Sequence, residues 1–338
     1  MKDMEIITKS FKIPYFEYSL IDEYFGDLKV CTFDIETLGL DPRRAPMILA
    51  GFMSVAPGGE AEIRQYFLDE PEQEHVLLDE VVSELNRYDI IVTYNGKRFD
   101  LPYILKRYNM IYHEEPYIRP FDLDLYQVIK KHSSLRDFLP SLSQKTIEEY
   151  MGLASTRTDD ISGAESVQLY YRYITEADVK LRSDLKELIL LHNSDDVAQL
   201  YRLLPVLRQC DIHQSMTKLG FPVITDSGRL MNICSIRIVR NDLVITGEYS
   251  GEPEVYMGFS NMERPYEVEM SRDRSFKITL PLLKKSGAYY VNLTDLFDAT
   301  DDLSDCAGYV NDFLILKEGK ELNCREINLL CKKLVKKI

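Results

Sequence analysis

Apolar positions change their spacing several times along this chain, and each change marks an element. Val30 to Ile35 is apolar enough for a central strand, Met47 to Val55 for a second and Glu62 to Leu68 for a third. Gly58-Gly59 turns the chain between the last two, so an antiparallel meander is expected. Glu72 to Arg87 shifts to helical spacing through Val76, Leu77, Val81 and Leu85, and Ile90 to Tyr94 returns to a strand. Leu101 to Tyr108 predicts a short helix and Phe121 to Val128 a strand or a passage from strand to helix. Ser166 to Leu207 reads as helical, with Pro205 near its close. Strands alternating with helices in this manner predict an α/β domain.

Beyond Cys210 the pattern changes. Ile236 to Val239 and Leu243 to Thr246 flank Asn241-Asp242 as a hairpin would, and Tyr266 to Met270 with Phe276 to Leu280 flank a polar SRDRS turn. Ala288 to Leu293 and Asp312 to Lys317 predict further strands. Cys324 to Ile338 places Ile327, Leu330, Cys331, Leu334, Val335 and Ile338 on one helical face, with Asn323 and Glu326 as a capping box. The expected organisation is an N-terminal extension over 1–27, an α/β domain over 28–209 and a smaller β-rich domain over 210–338 that ends in an amphipathic helix.

Composition narrows the classes. The 338 residues suffice for two domains, and apolar runs such as Leu188 to Leu191 fall far short of a membrane span. The stretch MKDMEIITKS has no apolar core of a signal peptide, so a cytoplasmic protein with no membrane partner is expected. Six Cys without CxxC pairing read as reduced, mostly buried thiols. The net charge of −14 argues against a nucleic-acid partner only at long range, since screening acts over about 8 Å at physiological salt. A local basic rim from Arg43, Arg44, Lys97, Arg98, Lys106 and Arg107 can still hold a strand.

The candidate chemistry lies in three ordered motifs, FDIETLGL (33–40), YNGKRFDLPYI (94–104) and HNSDDV (192–197). On a strand, Asp34 and Glu36 project to one face while Ile35 points into the core, which gives hard cations half of a rigid oxygen site. Thr37, Leu38 and Gly39 follow where a nucleotide can pack against backbone. Asp100 stands just after a strand beside Asn95, Gly96 and Phe99. Asn95 suits a sharp turn or a phosphate oxygen, Phe99 a base or the core, and Asp100 either a metal or the cap of the following helix. His192 and Asp196 lie at i and i+4, so they share a helical face while Asp195 points elsewhere. Together Asp34, Glu36, Asp100 and Asp196 predict a carboxylate cage for two metal ions, with His192 handling the water as base or orienter.

These motifs resemble those of the DnaQ-like, or DEDD, 3′-to-5′ exonucleases, whose ribonuclease H-like fold holds two Mg²⁺ or Mn²⁺ ions. FDLDL (121–125), PSLSQKTIEEYMGL (140–153) and DDISGAESVQLYYRYI (159–174) are similar to the YprB-like branch of that superfamily, which also resembles the proofreading domain of family B polymerases. The resemblance spans about Leu28 to Leu207 and implies that Asp34, Glu36, Asp100 and Asp196 bind metal and that His192 serves catalysis. The pattern departs from the family in one place. A catalytic His usually stands five residues before the last Asp, whereas His192 stands four before it, at the spacing usual for Tyr. In the family-like segment Asp124 reads as a group that supports the metal ligands or touches substrate, and Asp122 as structural.

The expected activity is in-line attack of water on phosphodiesters of single-stranded DNA or RNA, from the 3′ end. Two other readings stand beside it: a catalytically quiet module that binds nucleic acid or protein, and a hydrolase of short oligonucleotides.

Overall fold

The computed structural model describes residues 4–17, 19–26, 28–158, 161–262, 264–298 and 301–338. Asp159 and Asp160 of the family-like segment, and the first three residues of the stretch read for a signal peptide, lie outside the described residues. The chain divides into two compact units, Met1–Asp22 with Asp27–Cys210 and Glu23–Gly26 with Asp211–Ile338.

The first unit is built on a six-stranded mixed sheet. Its strands are β1 (Met4–Lys12), β2 (Val30–Thr37), β3 (Met47–Ala56), β4 (Glu60–Leu68), β5 (Ile90–Thr93) and β6 (Phe121–Asp124), in the order β1-β4-β3-β2-β5-β6. The expected meander β2-β3-β4 is present, and β5 and β6 join in parallel to β2 and to each other. Part of the stretch read as an extension forms β1, which pairs with β4 along its whole length from Met4↔Leu68 to Lys12↔Glu60. Its sequence gives little sign of this because an edge strand with one covered face keeps polar residues such as Thr8, Lys9 and Ser10.

Helix α1 (Ser19–Phe25) precedes β2. Helices α2 (Glu74–Leu85) and α3 (Asp100–Tyr112) cover one face of the sheet, where Cys31, Phe33 and Ile35 of β2 share a core with Leu77, Leu78, Val81, Tyr103 and Ile104. Helices α4 (Leu125–His132) and α5 (Gln144–Tyr150) follow β6. The stretch read as one helical pattern is two helices, α6 (Gly163–Thr175) and α7 (Val179–Arg202), the first opened by a capping box from Ser162 and Glu165. They bury Tyr170, Tyr173, Leu185 and Ile189 against Ile48, Leu49 and Phe67.

Helix α7 meets the sheet through polar contacts as well. Thr32 Oγ1 donates to Val197 O at 2.8 Å, and Gln65 Nε2 donates to Leu190 O at 2.8 Å and to Asn193 Oδ1 at 3.0 Å. Gly51 lies between Asp34 and Gln65 in the register of β2, β3 and β4. A Cβ at Gly51 would stand 2.1 Å from Asn193 Oδ1, so the missing side chain is what admits Asn193 to the sheet.

Parallel strands β5 and β6 carry a cross-strand pair in which Thr93 Oγ1 donates to Asp122 Oδ1 at 2.7 Å. Burial first of all pushes the Asp122 carboxyl up to about 7. Its expected structural role is consistent with this setting.

The second unit is β-rich. It contains α8 (Ile212–Leu219) and the strands β7 (Phe221–Ile224), β8 (Leu230–Val239), β9 (Asp242–Tyr249), β10 (Tyr256–Gly258), β11 (Glu267–Met270) and β12 (Ser275–Pro281) in one antiparallel sheet. A second sheet holds β13 (Leu283–Lys285), β14 (Ala288–Asn292), β15 (Tyr309–Val310), β16 (Phe313–Glu318) and β17 (Glu321–Leu322), with α9 (Asp301–Ser304) before β15 and α10 (Cys324–Lys336) at the end. The β8–β9 turn falls on Arg240-Asn241, one residue earlier than expected, because Val239 pairs with Asp242. The expected capping box of α10 does not form: Glu326 accepts from Gly308 N at 3.0 Å, and Asn323 Nδ2 donates to Ile315 O at 2.8 Å. Long-range partners outcompete the local cap. Of the thiols, Cys31, Cys306 and Cys331 are buried but Cys234 is exposed, so burial is less general than expected. Among the described residues no helix is long and apolar enough to cross a membrane.

Gly51→Ala should cost about 1–3 kcal/mol by overpacking against Asn193, read as a lower urea midpoint; an unchanged midpoint would refute the proposed fit. The folded-state pKa of Asp122 is raised, so the folded protein keeps a proton that the unfolded chain loses from about pH 4 upward, and stability falls as pH rises from there to about 7. Asp122→Asn should flatten that decline in urea midpoints taken between these pH values, and an undiminished slope would count against it.

Candidate active site

Strand β2 delivers the first two acids. Asp34 and Glu36 occupy its helix α7 face, alternate to buried Phe33 and Ile35, as their i, i+2 spacing predicts. The register with β3 slips between Glu36 and Thr37, a bulge at the point where the strand turns into the Thr37–Ala45 loop. Tyr103 OH braces that loop by donating to Gly39 O at 2.9 Å and Ala45 O at 2.7 Å. Thr37 is itself buried, with Oγ1 donating to Gly39 O at 2.9 Å, and Leu38 packs on the core beneath α6 and α7.

Motif two makes a tight loop between β5 and α3. Asn95 takes the left-handed conformation, with φ 70°, and a Cβ on Gly96 would meet Thr93 Oγ1 at 2.3 Å. Asp124 holds this loop from below: it accepts from Asn95 N at 2.9 Å and Lys97 N at 3.3 Å, and also caps α4 through Gln127 N at 3.1 Å. Buried and engaged with backbone donors, Asp124 positions the loop, which is the supporting one of the two roles expected for it beside a substrate contact. Asp100 does not act as the N-cap of α3. It is the helix's first residue, buried, and its Oδ1 accepts from Ile35 N of β2 at 3.3 Å.

Motif three lies on α7. His192 Nε2 stands 3.6 Å from Glu36 Oε1 and 3.6 Å from Asp196 Oδ2, and one ligand atom from each of these three residues lies within 4.8 Å of the others. Asn193 Nδ2 donates to Asp34 Oδ2 at 3.2 Å and fixes the carboxylate from the helix side. Asp195 does point elsewhere, accepting from Thr158 N at 2.5 Å and Thr158 Oγ1 at 2.8 Å. That contact ties down the segment that carries Arg157. Arg157 Nη1 pairs with Asp196 Oδ1 at 2.7 Å, while Nε and Nη2 form a fork on buried Glu148 at 3.1 and 2.9 Å.

The charges converge. Burial raises the Asp34 carboxyl well above the ordinary range, and Asp100, Asp196 and Glu36 raise it further, with Asn193 opposing. Burial also pushes Asp100 up to about 7, with Asp124 adding to the rise. Asp34, Glu36, His192 and Asp196 line a cavity of about 860 Å³ together with Thr37, Leu38 and Phe99. Lys145, Arg157 and half-exposed Tyr171 stand along the same cavity.

Among the described cations, the pocket is thus lined by Lys145 and Arg157, neither of them in the expected basic rim. Arg107 is withdrawn into buried Glu74, at 2.8 and 2.9 Å from its Nε, and Arg43 pairs with Asp41 at 2.9 Å. Lys97 and Arg98 are exposed on the motif-two loop, and Lys97 Nζ stands 5.2 Å from the Phe121 ring centroid. Asn193 was within the quoted motif, and the lone Gly51 in an apolar strand signalled a close approach. Arg157 carried no such signal.

Residues 31–208 match the family model of the RNase_H superfamily. The chain is 31% identical over 177 residues to the uncharacterized protein YprB of Bacillus subtilis, covering 51% of this chain and 40% of that protein. It is 31% identical over 87 residues to a DNA polymerase of Methanocaldococcus jannaschii, covering 24% of this chain and 5% of the polymerase. It therefore spans less than half the length of either curated relative. Solved structures similar to it include the family B DNA polymerase of Pyrobaculum calidifontis, at 21% identity and TM-score 0.39 over 53% of this chain and 24% of that one. Another is Brucella melitensis NrnC with bound Mg²⁺, at 20% identity and TM-score 0.34 over 58% of this chain and 79% of that one. With its family model matching more than half of the 338 residues, around a mixed sheet that gathers acids from β2, α3 and α7, the chain belongs to the RNase_H superfamily.

Proposed function

We propose that this protein is a metal-dependent nuclease that trims single-stranded DNA or RNA from the 3′ end, using two divalent ions, Mg²⁺ or Mn²⁺. The observation that carries the reading is the gathering of Asp34, Glu36 and Asp196 with His192 along one cavity, with Asp100 behind them on Ile35 N and near enough to raise the Asp34 carboxyl. Membership of the RNase_H superfamily and the partial similarity to a DNA polymerase support it.

The donor set fits divalent metal. Hard cations take carboxylate oxygens, and the Asp34 and Asp100 carboxyls, raised first by burial and further by neighbouring carboxylates, are groups whose charged form a bound cation would favour. Asp34, Glu36, Asp100 and Asp196 would hold the ions, which supply a more acidic water and neutralise charge on the phosphate. Asn193 keeps Asp34 oriented, and Arg157 keeps Asp196 in place. Thr37, Leu38 and Phe99 offer the wall on which a terminal nucleotide packs, and the volume of about 860 Å³ suits one or a few nucleotides rather than a duplex. Exposed Lys97 and Arg98, next in sequence to Phe99, would meet the strand's phosphates, with Asn95 beside them in the same turn. The limited volume also favours, as a second reading, hydrolysis of short oligonucleotides.

End-labelled single-stranded DNA and RNA should give a ladder that shortens from the 3′ end with Mg²⁺ or Mn²⁺ and not with EDTA. Asp34→Asn should lower the rate by at least about a hundredfold while leaving the thermal midpoint unchanged or higher, because a repelling buried charge is removed. A variant as active as the parent would refute the reading. Cleavage of di- to pentanucleotides but of neither polymer would transfer it to the oligonucleotide hydrolase.

A further inference from the structure

His192 occupies an unusual place for a group that takes a proton from water. Its Nε2 faces Glu36 Oε1 and Asp196 Oδ2 at the same 3.6 Å, longer than a hydrogen bond to either oxygen. That spacing suits a shared ion. Ligand atoms about 2.0–2.2 Å from one ion lie about 3–3.6 Å from each other, and all three atoms here fall within 4.8 Å.

Three further features hold the set in this form. His192 and Asp196 are one turn apart on α7, and Glu36 comes from the central strand, so both supports are rigid. Arg157 engages Oδ1 of Asp196 at 2.7 Å, which leaves Oδ2 as the oxygen turned to the imidazole. The Arg157 fork on Glu148 and the Asp195 contacts to Thr158 fix that guanidinium in turn.

We propose that His192 is a direct ligand of one ion, through Nε2, alongside Glu36 and Asp196. The inference rests on the reading of this cavity as a metal site and replaces the role of base or orienter expected for His192. An imidazole whose Nε2 is a ligand cannot accept the proton of the water with that atom. A mixed nitrogen and oxygen set also selects among ions: Mg²⁺ keeps to oxygen ligands, whereas Mn²⁺ and the later divalent ions accept imidazole. This position therefore prefers Mn²⁺ over Mg²⁺.

The test is pulsed electron paramagnetic resonance on the metal-stripped, full-length protein loaded with one equivalent of Mn²⁺, with Mg²⁺ competition measured by the same signal. The expected result is coupling from a directly bound nitrogen, lost in His192→Gln together with more than about tenfold of Mn²⁺ affinity. Glu36→Gln should bind Mn²⁺ more weakly yet keep the nitrogen coupling, which preserves the test should the His192 variant fail to fold. Mn²⁺ bound to the parent protein without nitrogen coupling would overturn the ligand role and leave the metal site standing, as would coupling that survives in His192→Gln. Failure of the parent to bind either ion would overturn the metal site itself.

Discussion

The candidate site depends on one interlock, the seating of Asn193 against the sheet over Gly51. Asn193 accepts from Gln65 through Oδ1 and donates to Asp34 through Nδ2, so one buried amide ties α7 to β4 and β2 across the side-chain gap in β3. Such a contact is strongly directional, and the helix cannot slide or rotate without stranding a buried polar group. His192 and Asp196 inherit their positions from it. They stand on the same helix within a turn of Asn193, and Thr32 anchors that helix again at Val197 O.

The interlock matters because the charges it gathers oppose one another. Asp34 and Asp100 are both raised by burial, and neighbouring carboxylates add to the rise at each, so the fold stores an unfavourable arrangement that a divalent cation would relieve. The surroundings are arranged to hold this strain. Asp124 clamps the motif-two loop through backbone donors, Tyr103 braces the loop after β2, and Arg157 balances Asp196 from a fork on Glu148. Most of the polar groups around the pocket thus serve position, and the net charge of −14 says little about the local field.

The cations show how function and structure compete for the same side chains. Arg107 looked available from sequence, yet buried Glu74 needs it, and Glu74 also accepts from Met47 N at 2.7 Å. A buried carboxylate without such a partner would be costly, so the ion pair takes precedence over any surface role. Arg157 meets the same demand from Glu148 and still reaches Asp196, and in that way a structural pair extends into the site.

What the sequence by itself determined were features set by short-range geometry. The i, i+2 pair on β2, the i, i+4 pair on α7, the meander and the glycine-marked turns depend on a few adjacent residues and a fixed period, and so they were legible. The edge strand β1 was hidden because its covered face is only partly buried and exposed Thr8, Lys9 and Ser10 interrupt the apolar alternation, and the capping box of α10 failed because Gly308 and Ile315 claimed its members. Only the tertiary structure decided whether Asp100 capped its helix or faced β2, whether Asp124 faced a substrate or a loop, and which arginine reached Asp196. Each of those side chains had two chemically sound partners. The choice fell to residues 29 to 65 positions away, brought near by packing that no local pattern encodes.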